Sequence, residues 1–172
     1  HGNKVFKNNT GNFAAKGAAV ASVPAGSGVV INSNDQVEIF DNDVSDNDTA
    51  NVIVSSYWST GYMNKYGVAK AYDPYPEDIY IYGNRFTGGG GSPDGLDLKT
   101  LKLAMYGLNG RLPDILWDGY FNKDRKVDGK PAGIGICIDN GEAHVLNADG
   151  PGGYKNPVDD TKPFKCTLPK LP

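Results

Sequence analysis

Apolar and polar residues alternate along Val37-Glu-Ile-Phe40 and again along Ile79-Tyr-Ile-Tyr82. A period of two predicts strands, with Val37, Ile39, Ile79 and Ile81 facing a core and Glu38, Phe40, Tyr80 and Tyr82 facing outward. A tight bend carrying Asn42 or Asn84 follows each strand, and Val44 and Phe86 then return to the core. Asn51–Val54 predicts another short strand, with counterparts at Asn12–Ala15 and Gly95–Leu98. Gly28–Ile31 and Gly67–Lys70 predict one more strand position per unit. From Asp97 the pattern changes. Asp97 suits the N-cap of a short helix through Leu101, Ala104 and Met105 that stops at Gly107. Ile115–Asp118 predicts a strand, residues 133–147 read as β-like, and Pro157, Pro163, Pro169 and Pro172 mark an extended strap.

These strands recur at a fixed spacing. At an offset of 39, Asn3, Val5, Asn8, Thr10 and Asn12 coincide with Asn42, Val44, Asn47, Thr49 and Asn51. At an offset of 42, Val37-Glu-Ile-Phe-Asp-Asn42-Asp-Val44 matches Ile79-Tyr-Ile-Tyr-Gly-Asn84-Arg-Phe86. Such a period implies units that bury an apolar face only against their neighbours. Parallel pairing of successive units would stack Asn3, Asn42 and Asn84 into an amide ladder. Surplus residues leave each unit as loops, 16–27 in the first and 55–66 in the second. The chain starts within a repeat, so it reads as the C-terminal portion of a longer protein.

Composition narrows the function classes. The 172 residues are 39% hydrophobic and 22% charged, with a net charge of −3, 23 Gly and 11 Pro. This is a turn-rich, β-type composition. Clustered Lys and Arg of the kind that bind phosphate are missing, which argues against nucleic acid as partner, and no run of apolar residues is long enough for a transmembrane helix. Cys137 and Cys166 can close one disulfide or stay as two thiols. The polar, Asn-rich character points to an exported protein and so favours the disulfide.

The x-Val/Ile-x-Ile-Phe/Tyr-x-Asn-x-Val/Phe pattern resembles the right-handed parallel β-helix repeat of the pectate-lyase-like superfold, and more narrowly bacterial exported β-helix repeat proteins. The resemblance implies an all-β, right-handed parallel β-helix (solenoid) over residues 1–96. A mixed, loop-rich C-terminal cap, with a short helix and an extended strap, would span 97–172. It also implies a periplasmic or extracellular location. Members include polysaccharide lyases, epimerases and non-catalytic surface proteins, so the fold alone assigns no activity.

Candidate chemistry falls into three groups. For catalysis, Asp73-Pro74 resembles part of the Asp-Pro-His element of uronate epimerases, with Tyr75 in place of His. A lyase needs a cation and a basic residue, for which Arg85, Lys70 and Asp43 are candidates, although Asp43 and Arg85 at equivalent positions also suit a plain ion pair. For a metal, Asp41, Asp43, Asp46 and Asp48 supply four carboxylates within eight residues and could hold Ca²⁺, but the EF-hand pattern is not met. For ligand binding, Tyr57, Trp58, Tyr62, Tyr66, Tyr72 and Tyr75 cluster in sequence, with Tyr80 and Tyr82 next on the outward strand face. Such rings pack on the apolar faces of sugars, or else form a local minicore. Gly88–Gly91 lacks the Lys and Ser/Thr of a phosphate loop.

The reading that best joins these features is a non-catalytic module presenting loops to a polysaccharide or a protein partner, without a cofactor. The alternatives are the C-terminal part of a polysaccharide lyase or uronate C5-epimerase, and a purely structural cell-surface element.

Overall fold

A computed structural model describes residues 1–15, 17–64 and 72–172. The strands in chain order are β1 (Lys4–Phe6), β2 (Ser27–Asn32), β3 (Asp35–Phe40), β4 (Asp43–Ser45), β5 (Ala50–Ser55), β6 (Glu77–Tyr82) and β7 (Arg85–Thr87). Helix α1 (Leu96–Tyr106) follows, then β8 (Ile115–Trp117), β9 (Lys126–Val127), β10 (Lys130–Pro131), β11 (Ile136–Asp139), β12 (Val145–Asn147) and β13 (Val158–Asp159).

Among the described residues the strands form four sheets. One runs β1-β4-β7, one β11-β6-β3, one β13-β12-β8-β5-β2, and β9 and β10 make a hairpin. Pairing is parallel in the first two, and antiparallel between β12 and β13 and within the hairpin. Val37 pairs with Ile79 and Val44 with Phe86, so equivalent residues of successive units lie side by side. The bends before them share a device. Gly2, Asp41 and Gly83, each one residue before a ladder asparagine, all have φ between 53° and 71°.

At those bends the asparagines form a column. The Asn3 backbone N–H and Nδ2 donate to Asn42 Oδ1 at 3.0 and 3.1 Å, and the same groups of Asn42 donate to Asn84 Oδ1 at 3.0 and 2.9 Å. Asn84 repeats the pattern onto Asn140 Oδ1 at 2.6 and 3.0 Å, although Asn140 belongs to no sequence repeat. A second ladder links Asn8 to Asn47 and, through Asn51, to Asp114. Asn42, Asn47 and Asn51 are buried, and these bonds satisfy amides that would otherwise be costly to desolvate.

The core lies between the five-stranded sheet and the β11-β6-β3 sheet. Ile31, Val52, Val54, Ile115, Trp117 and Val145 from one meet Ile39, Ile79, Ile81, Ile136 and Ile138 from the other, and Phe164 closes the group. The opposite face of the five-stranded sheet is also covered. Ile53, Leu116 and Leu146 pack against Leu98, Leu101, Met105 and Tyr106 of α1. These helix positions fall at the spacing of one helical face. Leu96 and Leu103, off this contact face, stay exposed.

Several expectations are corrected. The described residues give a mostly-sheet protein with several small parallel and mixed sheets and one helix, and no closed solenoid is found among them, so the all-β, right-handed parallel β-helix class does not hold. The repeat specifies which residues of neighbouring units pair, which is a local matter. Closure needs every unit to carry the same segments, and they do not. Residues 12–15 form no strand, and Gly95–Leu98 leads into α1 instead of a strand. Residues 67–70 lie outside the described residues, so that strand position is untested. The α1 N-cap is Gly95, with Asp97 inside the first turn, where its charge favours the helix dipole. The helix does end at Gly107, whose N–H donates to the Leu103 carbonyl. The hairpin turn is Asp128-Gly129, both with positive φ, as a tight antiparallel turn requires. No described helix is long and apolar enough to cross a membrane.

Cys137 and Cys166 are joined in a disulfide, with Cα atoms 4.9 Å apart. Cys137 pairs with Tyr80, and Tyr80 with Glu38, so all three lie on the outward face of β11-β6-β3. The disulfide draws the strap onto that face. The Leu171 N–H donates to Glu38 Oε1 at 3.0 Å, and Lys170 Nζ sits 4.9 Å from the centre of the Tyr82 ring.

Candidate aromatic binding surface

The loop after β5 starts with Ser56-Tyr57-Trp58, and its shape is set by one carboxylate. Asp118, directly after β8, is buried. Its Oδ2 accepts from the Ser56 N–H at 2.6 Å, the Ser56 hydroxyl at 2.7 Å and the Ser59 hydroxyl at 2.6 Å. Its Oδ1 accepts from the Tyr120 N–H at 3.0 Å. A carboxylate with four donors is well compensated for its burial. It ties together the loop that carries Trp58 and the one that carries Tyr120. A third loop joins them where the Tyr57 N–H donates to Pro74 O and to Ser33 Oγ, and Ser33 Oγ itself donates to Pro74 O.

The result is a group of rings held at their bases. Trp58 and Tyr120 stack with centroids 6.4 Å apart and planes 25° off parallel, and Trp58 is still 42% exposed. Tyr57 and Tyr62 contact at 5.0 Å behind them. Burial, then the Asp118 charge and Tyr75, push the Tyr120 phenol up from its ordinary pKa. Burial, Tyr120, Asp118 and Asp97 do the same at Tyr154. Tyr120 thus stacks on Trp58 and interacts electrostatically with Tyr75 and Tyr154. Asp118 is fully occupied with holding loops, so the arrangement is built to display rings and hydroxyls.

The other ligand candidates divide. Tyr72 is exposed, and Tyr66 lies outside the described residues. Tyr80 does lie on the outward strand face, as expected, but it is not open to a ligand. It is only 6% exposed, because the strap drawn in by Cys166 covers its face. Tyr82 stacks on Phe40 at 5.0 Å, and Phe40 on His1 at 4.4 Å, with Lys170 against the Tyr82 ring.

The catalytic candidates do not come together. Arg85 and Asp43 form an ion pair across β4 and β7, while Asp73 acts on Asp35 and Glu77 at the starts of β3 and β6. Lys70 lies outside the described residues. Asp35 and Glu77 both titrate above the ordinary carboxylate range, chiefly through burial. Arg125 reaches back to this group, 2.8 Å from Glu77 and 2.5 Å from Asp78, a role nothing in its local sequence announced. His144 pairs with Asp159 at 3.4 Å, and the Tyr106 hydroxyl donates to the same carboxylate. Of the metal candidates, Asp41, Asp43, Asp46 and Asp48 do not converge. Asp43 is taken by Arg85, and no group of three or more His, Cys, Asp or Glu suited to a metal occurs among the described residues.

No family model matches this chain, and no curated protein or solved structure matches it. The resemblance to β-helix proteins thus rests on the quoted residues alone.

Sequence reasoning missed Asp118, Tyr120 and Tyr154. Tyr120 had a signal, since Gly119-Tyr120-Phe121 directly follows an apolar strand. Tyr154 sits after Gly150-Pro-Gly-Gly153, a turn that exposes the next side chain. Neither signal says that Tyr120 stacks on Trp58.

Proposed function

We propose that this chain is a non-catalytic module that binds carbohydrate through the surface formed by Trp58, Tyr75, Tyr120 and Tyr154. The observation that carries this reading is the Trp58–Tyr120 stack, left exposed although its loops are tied to a buried Asp118. Exposed indole and phenol rings keep apolar area in water, and they are poised to lose that cost against an apolar ring face. Rigid loops lower the entropy spent on binding. Phenol hydroxyls at the same surface supply the polar contacts that a sugar needs. The disulfide is compatible with a non-cytoplasmic location, where such bonds persist, and a periplasmic or extracellular setting is part of this proposal.

The test is a glycan array read with wild type and with Trp58→Ala, each checked for folding by circular dichroism. The expected outcome is binding to extended neutral glycans by wild type and a loss of about tenfold or more in the variant, as removal of an anchoring aromatic produces. Absence of binding by wild type ends the reading.

A further inference from the structure

A second concave surface lies away from Trp58. It is a cleft of about 520 Å³ between the bends at Asp46–Asp48 and Gly89–Ser92 and the loop that joins α1 to β8. That volume falls within the range of small-ligand sites. Its walls are fixed. Arg111 Nε donates to Gly89 O at 2.6 Å, the Leu112 N–H donates to Gly90 O, and the Ser92 N–H donates to Asp48 O. Asn9 spans the other wall, accepting from the Asp48 N–H at 2.9 Å and donating to Asp46 O at 3.0 Å. Lys102 Nζ donates to Leu108 O at 2.8 Å.

The charges inside are not used up by these bonds. Among the described residues, the Arg111 Nη groups and Lys7 Nζ have no protein acceptor, and the Asp46 and Asp48 carboxylates have no protein donor. We propose that this cleft binds an acidic saccharide, a hydroxyl-bearing ring with one carboxylate. The Arg111 fork and Lys7 take the anionic group, for which a planar guanidinium is well shaped. Asp46 and Asp48 accept hydrogen bonds from ring hydroxyls. The same two carboxylates disfavour a multiply charged phosphate more than a single carboxylate, and the three cations of the lining oppose a metal ion. Leu108, 78% exposed at the rim, offers an apolar patch to the ring face.

This site is independent of the Trp58 surface, and its test keeps the two apart. The full chain carrying Trp58→Ala, which silences the first surface, is titrated with a hyaluronan tetrasaccharide, with its carboxyl-reduced form and with inorganic phosphate, followed by calorimetry. The expected result is binding of the acidic tetrasaccharide that weakens with salt, with much weaker binding of the reduced form and of phosphate. Arg111→Ala should weaken it at least tenfold. Lys7→Ala, on the opposite wall and with its side chain outside the hydrogen-bond framework, should weaken it several-fold. Absence of binding by this folded chain, binding after Lys7→Ala or Arg111→Ala equal to that before it, or equal binding of phosphate would overturn the proposal.

Discussion

Residues 1–87 and 88–172 supply strands to the same two large sheets but reach register by different means. In the first part the pairs β1–β4, β4–β7 and β3–β6 keep the repeat's offsets of 39 or 42, and equivalent residues meet, while β2 and β5, read from the sequence as different strand positions, pair at an offset of 23. Asn3, Asn42 and Asn84 share one column, and Val5, Val44 and Phe86 lie side by side. In the second part the spacing is irregular. Ile115 follows its partner Val52 by 63 residues, Val145 follows Ile115 by 30, and Ile136 follows Ile79 by 57. Register there comes from apolar side chains entering the same core, from Arg125 pairing back to Glu77 and Asp78, and from the disulfide. In-register parallel pairing therefore does not depend on a repeated sequence. A repeat is one way to specify it, and cross-links at irregular spacing are another.

The sharpest way to break this contrast is to cut the second part's cross-link. Cys166→Ser opens a disulfide between residues 29 apart, and loop entropy alone assigns it about 3–4 kcal/mol. Urea unfolding should show that loss, together with greater exposure of Tyr80 and Tyr82. A cost under about 1 kcal/mol would mean that Phe164 burial, and not the bridge, holds the strap.

The amide column allows the first part to be probed at two depths. Asn42→Ala removes the acceptor for two Asn3 donors and one donor to Asn84 at a buried site, and should cost about 2–3 kcal/mol. Asn3→Ala, at the exposed end, should cost less than about 1 kcal/mol. Equal losses in the two melts would show that the ladder does not act through burial.

The smallest effect concerns charge. Burial and the neighbouring Asp73 raise the Asp35 pKa above its ordinary 3.8. The folded protein then holds the proton more tightly than the unfolded chain. The stability contribution is complete below the unfolded pKa and is lost as pH rises through the raised folded value. Charged Asp35 is thus a liability at neutral pH, despite the Glu77 N–H that it accepts. Asp35→Asn should raise the melting temperature at pH 7 and give no gain at pH 3. A variant less stable than wild type at pH 7 would show that the hydrogen bond outweighs the repulsion.

Much of the strand pairing was legible in the residues. Alternation in Val37–Phe40 and Ile79–Tyr82 fixed their inward faces, and the shared offset fixed their parallel register. Gly107 marked the helix stop, since a residue there takes a backbone conformation suited to glycine. With only two cysteines, a disulfide had one possible pairing. These are properties of short segments, set by side-chain shape and backbone preference.

Other features were decided by the tertiary structure. Whether Tyr80 meets solvent depends on a strap more than eighty residues later in the chain. Trp58 has a partner because Asp118 bonds to both loops. The cleft forms only where Lys7, Asp46 and Arg111, distant in sequence, line the same hollow. Local pattern determines what a strand can pair with. What finally covers each face, and which charges remain unpaired, depends on the path of the whole chain, and no period or spacing in the sequence encodes that path.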